Sequence, residues 1–396
     1  GQSRARVASF TPSGTLRGWS ANVQSRISYD IATSPDGSRV FIGGAFEKVN
    51  NVPRLGTAAL SGATGALLPW DVSDEVYSWG PDAAVTSVNA DESNVYFTSM
   101  AFLDDATGWT NTEGAFAADQ ATGEVVWLAD CHGDTYDVFA NSGQDHVYLA
   151  GHPHMCNNIG SYPEERPRVH RYATALTKQA FGLVSTNTQL ARFYVNVEGF
   201  PAPKVRTFFP TFTEGQHTGQ HQATWQVTGN SDYVVYGGEF LSVNGVAQQG
   251  LVRFAKPHLA AGLQGPRVSG SATTPTLQSH ARGTMQVSWQ TNHDIDDGAL
   301  TYRVLRNGTV VHEVTAPSTF WNRPRLSFTD TGLADNTNYT YRIEVSDSAG
   351  NTVLSPQVTA RTLTSSAAPL SEYAATILED APNNYWRLGE PSGSFQ

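Results

Sequence analysis

Short apolar runs that follow turn residues recur through the first 257 residues of the chain. Each run is rich in valine and aromatic residues and comes after a Gly, Asp or Asn turn, which predicts the second strand of a repeating unit. Thr-Gly or Ser-Gly hairpins followed by aromatic strands close the units. The runs begin at Val40, Val95, Val147 and Val234, and the closing strands end at Trp19, Trp70 and Trp127.

A long-range repeat in the sequence supports the prediction of repeating units. Residues 43–52 match residues 237–246, and Gly56 and Gly250 continue the register at the same offset of 194. That offset is close to four periods of about 48 residues, and four short strands in a unit of this length is the period of a β-propeller blade. One four-stranded sheet cannot bury both faces alone, so the blades pack radially. We therefore predict a β-propeller over residues 1–257.

Two irregularities interrupt the predicted repeat. The third and fourth runs are 87 residues apart, which predicts a degenerate blade or a long insertion around residues 185–216. Residues 5–22 resemble the last two strands of a blade whose first two strands are missing. They either complete the unit that ends near Phe254 or follow a segment upstream of residue 1, and the second alternative is favoured because residues 5–10 duplicate a strand.

Residues 264–363 alternate Thr, Ser and Val and resemble a fibronectin type III domain. The resemblance implies a β-sandwich in which Leu333 and Tyr339 form a tyrosine corner, whose hydroxyl ties a loop to the backbone. The expected core residues are Trp289, Tyr302, Leu333 and Tyr339. Asp294, Asp296 and Asp297 are interpreted as a solvated loop, with calcium ligation as the alternative.

A Thr/Ser/Ala/Pro linker over residues 364–372 precedes a third segment, residues 373–396. The phrase Tyr385-Trp386-Arg387-Leu388-Gly389-Glu390 makes this segment look like the opening strand of a laminin-G or concanavalin-like lectin domain. A complete jelly roll needs over a hundred more residues, so we expect a truncated domain and a chain that is a fragment of a longer protein. The expected fold class is all-β: a propeller, a fibronectin type III sandwich and the start of a lectin-like jelly roll.

Composition and charge argue against two classes of function, nucleic-acid binding and membrane insertion. The chain has 396 residues, of which 39% are hydrophobic, and a formal net charge of −11. Since an acidic surface repels phosphate backbones, we expect no nucleic-acid partner. No stretch approaches the 18 apolar residues of a membrane-spanning helix, so this segment is not expected to enter a membrane.

The two cysteines, Cys131 and Cys156, are 25 positions apart. They are either buried thiols of a cytosolic protein or a disulfide. The disulfide is favoured, because closing a loop of this length restricts the unfolded chain by about 3 kcal/mol. Together with the module types, it indicates a secreted or cell-surface protein.

Histidines cluster in loops that the strand order of a blade places on one rim of the propeller. The candidate ligand or metal-binding residues are His132, Asp134, His152, His154, His217 and His221. Imidazoles with a nearby carboxylate indicate a divalent metal such as zinc or calcium, or a general base acting on a glycan. The alternative is that these side chains only cap loops. The aromatic residues Trp109, Trp127 and Trp225 either stack on sugar rings or wedge blades together.

Three segments, residues 130–134, 151–156 and 238–254, resemble secreted actinobacterial multidomain surface proteins. Such proteins carry an N-terminal propeller, a fibronectin type III or PKD module and laminin-G-like domains, and the resemblance implies carbohydrate binding at the cell surface. We expect recognition of polysaccharide or cell-envelope glycan without catalysis. The alternatives are a polysaccharide hydrolase or lyase with a catalytic propeller, and a structural surface protein. No carboxylate pair at motif spacing and no nucleophile motif supports catalysis.

Overall fold

The protein is described by a computed structural model that covers residues 3–101, 108–141, 143–186, 195–256, 259–260, 262, 264–367 and 370–380. The chain divides into two compact units, Gly1–Ala260 and Ala261–Gln396. The predicted all-β fold class is confirmed, since antiparallel sheets account for nearly all the regular structure.

Twenty strands, one short α-helix and one turn of 3-10 helix (Asn157–Ile159) make up the regular structure of the described part of the first unit. In chain order they are β1 (Val23–Gln24), β2 (Ser28–Thr33), β3 (Arg39–Gly44), β4 (Lys48–Val49), β5 (Val52–Pro53), β6 (Thr57–Ser61), α1 (Val72–Glu75), β7 (Ala83–Ala90), β8 (Asn94–Ala101), β9 (Ala115–Asp119), β10 (Val125–Ala129), β11 (Thr135–Ala140), β12 (His146–Gly151), β13 (Ala173–Leu183), β14 (Pro201–Val205), β15 (Phe212–Thr213), β16 (Thr224–Gly229), β17 (Tyr233–Gly238), β18 (Ser242–Val243), β19 (Val246–Ala247) and β20 (Leu251–Ala255).

Four consecutive antiparallel sheets form the blades of the propeller arrangement. Their strand orders are β2-β3-β6, β7-β8-β9-β10, β11-β12-β13-β14 and β16-β17-β20. The first strands of successive blades lie side by side, β2 against β7, β7 against β11 and β11 against β16. The long gap between the third and fourth runs is therefore an insertion within one blade, where the loops around β13 are extended.

Each inner strand carries a β-bulge, and in the first three the residue after the bulge links neighbouring blades. Asp30 Oδ2 accepts a hydrogen bond from the Val88 backbone N–H at 2.8 Å, and Asp137 Oδ2 accepts one from Val227 at 2.7 Å. The Ser87 hydroxyl lies between the two carboxylates, 2.9 Å from Asp30 and 2.6 Å from Asp137. These charge-assisted bonds satisfy buried polar groups and fix the spacing of the inner strands.

The two matching segments that lie 194 residues apart correspond to equivalent hairpins in the first and fourth blades. The hairpin β4-β5 pairs with β1, and β18-β19 pairs with β15. Asn50 and Asn244 take left-handed backbone angles, φ 52° and 50°, which asparagine tolerates better than most residues. Their side chains accept hydrogen bonds from Asn22 N at 2.8 Å and Thr211 N at 2.9 Å, so the Val-Asn motif encodes both the turn and its attachment.

The N-terminal segment packs on the outer face of the first blade. Val7 and Trp19 are buried against β3 and β6, and Trp19 Nε1 donates to the Ser61 carbonyl at 2.9 Å. Beside them, Tyr29 and Ile31 on β2 remain half exposed. The segment does not extend the sheet of the fourth blade in the described residues.

The second unit is an antiparallel sandwich of a three-stranded and a five-stranded sheet. Its strands are β21 (Thr276–Gln278), β22 (Met285–Gln290), β23 (Ala299–Arg306), β24 (Thr309–Pro317), β25 (Arg325–Asp330), β26 (Asn338–Ser346), β27 (Thr352–Leu354) and β28 (Val358–Arg361). Trp289 and Tyr302 are fully buried between the sheets, and Leu333 closes the core. Tyr339 Oη accepts a hydrogen bond from Ala334 N at 3.0 Å, which is the geometry of a tyrosine corner.

The segment from residue 373 begins as a helix, α2 (Glu372–Glu379), where the resemblance to a lectin domain predicted a strand. Ser371 caps the helix by accepting a hydrogen bond from Ala374 N at 3.2 Å, and alanine, leucine and glutamate favour helix. Leu378 is buried and its carbonyl accepts from Gln286 of the sandwich. Residues 381–396, which contain the phrase that resembles a lectin domain, lie outside the described residues, so the lectin-like start remains a prediction. The linker at 364–372 also remains a prediction.

Candidate functional site

Three loops on one edge of the third and fourth blades meet at a polar rim. They precede β11, join β12 to β13, and precede β16. The Cys131–Cys156 disulfide ties the first two loops together, with Cα atoms 4.3 Å apart. Gly133 has φ 117°, and a Cβ there would lie 2.4 Å from the His152 carbonyl oxygen. Only glycine allows this close approach, so Gly133 permits the two loops to pack against each other.

His132 and His154 are buried beside carboxylates. His154 Nδ1 lies 2.7 Å from Glu164 Oε2, and His132 Nδ1 lies 3.7 Å from Asp130 Oδ2. Burial, followed by neighbouring positive charge, lowers the pKa of His132 to about 3 and that of His154 to about 4. Both imidazoles are therefore neutral near pH 7, and that of His154 is hydrogen-bonded to Glu164.

His152 lies at the centre of the rim, and the sequence did not single out its partner His170. The two rings are 5.1 Å apart, and His170 is 6.1 Å from His154. His152 Nδ1 lies 2.7 Å from Gln222 Oε1 on the loop before β16. Burial and the neighbouring His152 and Arg168 lower the pKa of His170. His170 belongs to the same β12–β13 loop as His152 and His154, and this long loop folds back to bring its ring beside theirs.

His217 and His221 are exposed at the margin of the rim. His221 Nδ1 lies 3.2 Å from Glu214 Oε1, and Glu214 also accepts a hydrogen bond from Tyr172. Tyr172 Oη is 3.4 Å from His170 Nδ1 and connects this margin to the central histidines. The structure thus brings His132, His152 and His154 together in the interior and leaves His217 and His221 at the outside.

A set of carboxyl groups with raised pKa values underlies the loops. Burial, together with the charges of Asp134 and Asp130, raises the pKa of Glu113 to about 8, and burial raises that of Asp130 to about 7. Asp130 Oδ1 accepts from the Glu113 backbone N–H at 2.7 Å. Asp134 accepts from Tyr136 Oη at 3.0 Å. A carboxylic acid that keeps its proton beside a carboxylate can in principle transfer a proton to a ligand.

Half-buried aromatic rings form the outer surface of the same rim. Trp225 and Tyr136 have ring centroids 4.6 Å apart, and Tyr136 meets His152 edge-on at 5.8 Å. Trp127, by contrast, is fully buried and donates to the Lys178 carbonyl at 2.9 Å, so it wedges blades together. Of these two tryptophans, only Trp225 is placed to contact a ligand.

The rim does not form a metal centre on its own. Within the described ranges, no three His, Cys, Asp or Glu side chains are arranged to hold a metal ion. His154 and His221 each contact one nearby carboxylate. Zinc or calcium at the rim remains a prediction.

A second concave region lies at the opposite edge of the blades. A cleft of about 340 Å³ is lined by the turns before β8 and β12 and by the middle of β13. Lys178 pairs with Asp91 at 2.6 Å on its floor, and Phe181 stands at its border with 67% of its surface exposed. This cleft was not expected from the sequence.

None of the helices in the described part of the chain has the length and hydropathy required to span a bilayer. No protein-family model and no curated protein matches the chain. Among solved structures, the chain is similar to a family 28 exopolygalacturonase of Yersinia enterocolitica at 15% identity, with a TM-score of 0.19 over 23% of this chain and 20% of that one. It thus spans about a fifth of the length of that enzyme.

Two further similarities are of the same low order. The fibronectin domains 1 to 3 of chicken CNTN1 are 11% identical, with a TM-score of 0.20 over 87% of this chain and 97% of that one. The spore cortex lytic enzyme SleM of Clostridium perfringens is 14% identical, with a TM-score of 0.21 over 33% of this chain and 38% of that one.

Proposed function

We propose that the propeller unit binds a polysaccharide or cell-envelope glycan at the rim of its third and fourth blades. The observation that carries this proposal is the Trp225–Tyr136 ring pair, which is half buried and flanked on both sides by hydrogen-bonding groups. An amphipathic ring held by its neighbours offers an apolar face to the CH groups of a sugar at low entropic cost.

The groups around the ring pair suit the hydroxyls of a sugar. Asp134 and Glu214 present carboxylate oxygens, which accept hydrogen bonds, and the neutral His170 offers a donor and an acceptor. The net charge of −11 disfavours phosphate-rich ligands. We therefore expect a neutral glycan to bind better than a polyanion.

The proposal places the protein outside the cell. The single disulfide is compatible with an oxidising compartment, and the fibronectin type III sandwich would serve as a spacer between binding units. In this proposal the protein is a secreted or surface member of the actinobacterial multidomain group, with a lectin-like domain after residue 372. The boundaries 1–257 and 264–363 belong to the same proposal.

Substitution of Trp225 tests the site. We expect Trp225→Ala to weaken binding to neutral polysaccharides about 5- to 30-fold in affinity electrophoresis, because loss of a central aromatic contact costs about 1–2 kcal/mol. Phe181→Ala is the matched control, since Phe181 is an exposed aromatic residue at the opposite edge. Loss of binding in Phe181→Ala alone would move the site to the cleft, and unchanged binding in both variants would refute the proposal.

Hydrolysis is a second candidate, favoured by the raised pKa of Glu113 beside Asp134. Reducing ends released from the polysaccharide in the same assay would move the conclusion to an enzyme. In that case Glu113 would be the acid and Asp134 the base.

A further inference from the structure

Four aspartates converge at one end of the fibronectin type III sandwich. Asp294, Asp296 and Asp297 lie in the loop between β22 and β23, and Asp347 lies between β26 and β27. The strands β23 and β26 pair with Thr301 opposite Ser346, so the two loops leave the sheet side by side. In the described residues, no Lys or Arg side chain forms an ion pair with any of the four.

Asp294 is the unusual member of this group. Asp294 is only 2% exposed, and its Oδ1 accepts a hydrogen bond from Ile295 N at 2.6 Å. Oδ2 is also buried, but it has no hydrogen-bond donor among the described residues. The Asp294 carboxylate instead lies within hydrogen-bond distance of the Asp296 carboxylate. Two carboxylates in contact repel unless a proton or a cation lies between them.

The other two aspartates have protein partners that hold them close to this pair. Asp347 Oδ1 accepts from Asn351 N at 2.7 Å, and Asp297 accepts from Ser348. A divalent cation bound between these carboxylates would remove the repulsion.

We propose that these loops bind Ca²⁺ through Asp294 and Asp296, with Asp297, Asp347 and water completing the oxygen shell. An all-oxygen, carboxylate-rich set of donors on two loops suits calcium, which takes 6–8 oxygens in flexible geometry, whereas imidazole and thiolate ligands suit zinc. Within the described residues, no three acidic side chains are close enough together to hold one metal ion. Calcium binding therefore requires small movements of the two loops. We expect a Kd of about 0.1–1 mM, as in extracellular calcium modules.

The test uses the full chain, stripped with EDTA and dialysed at pH 7.5. Addition of CaCl₂ to about 10 mM should raise the melting temperature of the second unit by about 6–20 °C in differential scanning calorimetry. The same concentration of MgCl₂ should have a smaller effect, because magnesium dehydrates reluctantly and demands octahedral geometry. Isothermal titration with CaCl₂ should give one site per chain.

The variant Asp294→Asn distinguishes the loss of a calcium ligand from misfolding of the second unit. Without calcium this variant should melt at the same or a higher temperature than the wild type, because it removes one of two repelling carboxylates, but its response to calcium should disappear. Glu313→Gln, in which an exposed acid of the same unit is neutralised, should keep the full response. Absence of a calcium effect on the wild type, or an unchanged effect on Asp294→Asn, would overturn the proposal. It does not depend on glycan binding by the propeller.

Discussion

The protonation of single residues in the rim is set by burial, and Glu113 is the clearest case. A group whose pKa rises on folding stabilises the protein fully below its unfolded pKa, and this contribution is lost as the pH rises through the folded value. For Glu113 these values are 4.5 and about 8. His132 has the opposite sign, since its pKa falls from 6.5 to about 3, and its contribution is lost on acidification.

We expect Glu113→Gln to flatten the loss of stability between pH 5 and pH 8. The variant should gain at least about 2 kcal/mol relative to the wild type over this range, because the glutamine amide has no proton to release. Urea unfolding at a series of pH values measures the effect. Glu124→Gln, which neutralises an exposed glutamate on a hairpin, should reproduce the wild-type profile. Parallel profiles for Glu113→Gln and the wild type would contradict the assignment.

Among individual residues of the rim, the sequence predicted those that lie close together along the chain. His132 with Asp134, and His152 with His154, stand out because they share a loop. Glu113 could not be predicted, since it belongs to a loop that approaches the others only in the folded propeller, and His170 was left out because it lies at the far end of the long β12–β13 loop. A raised pKa needs burial and neighbours, and neither can be inferred from one position in a sequence.

At the scale of loops and strands, the disulfide joins two segments that otherwise attach to different strands. Cys131 precedes β11 and Cys156 follows β12. The double variant Cys131→Ser with Cys156→Ser should lower the free energy of unfolding of the first unit by about 3 kcal/mol, because the 25-residue loop is no longer closed in the unfolded chain. Urea unfolding measures this loss.

The wild type under a reducing agent provides the control for the double variant. It should unfold at the same urea concentration as the variant, while the second unit, which contains no cysteine, should be unaffected. An equal midpoint for the oxidised wild type and the double variant would show that the loops are held by their other contacts alone.

Strand prediction succeeded where turn and apolar residues repeat, and failed where the pattern is short. The Val-Asn hairpins of the first and fourth blades were visible as a repeat, because the same backbone angles need the same residue. The helix α2 was missed because its sequence was interpreted by resemblance, although Ser371 is a strong helix N-cap. The insertion around β13 was ambiguous in the sequence because the spacing alone does not distinguish an extra blade from longer loops.

At the scale of the whole chain, two compact units with separate cores account for the change in composition near residue 260. The core of the second unit contains Trp289, Tyr302 and Ile343, and no residue of the first unit belongs to it. A core that closes within one unit makes that unit a candidate for independent unfolding.

Ile343→Val removes one buried methylene group from this core and tests whether the units unfold separately. The substitution should cost about 1 kcal/mol, and in a unit of this size it should lower one melting temperature by about 4–8 °C while the other stays constant. Differential scanning calorimetry of the full chain should show two transitions, of which only that of the second unit moves. A single transition that shifts as a whole would show that the two units unfold together.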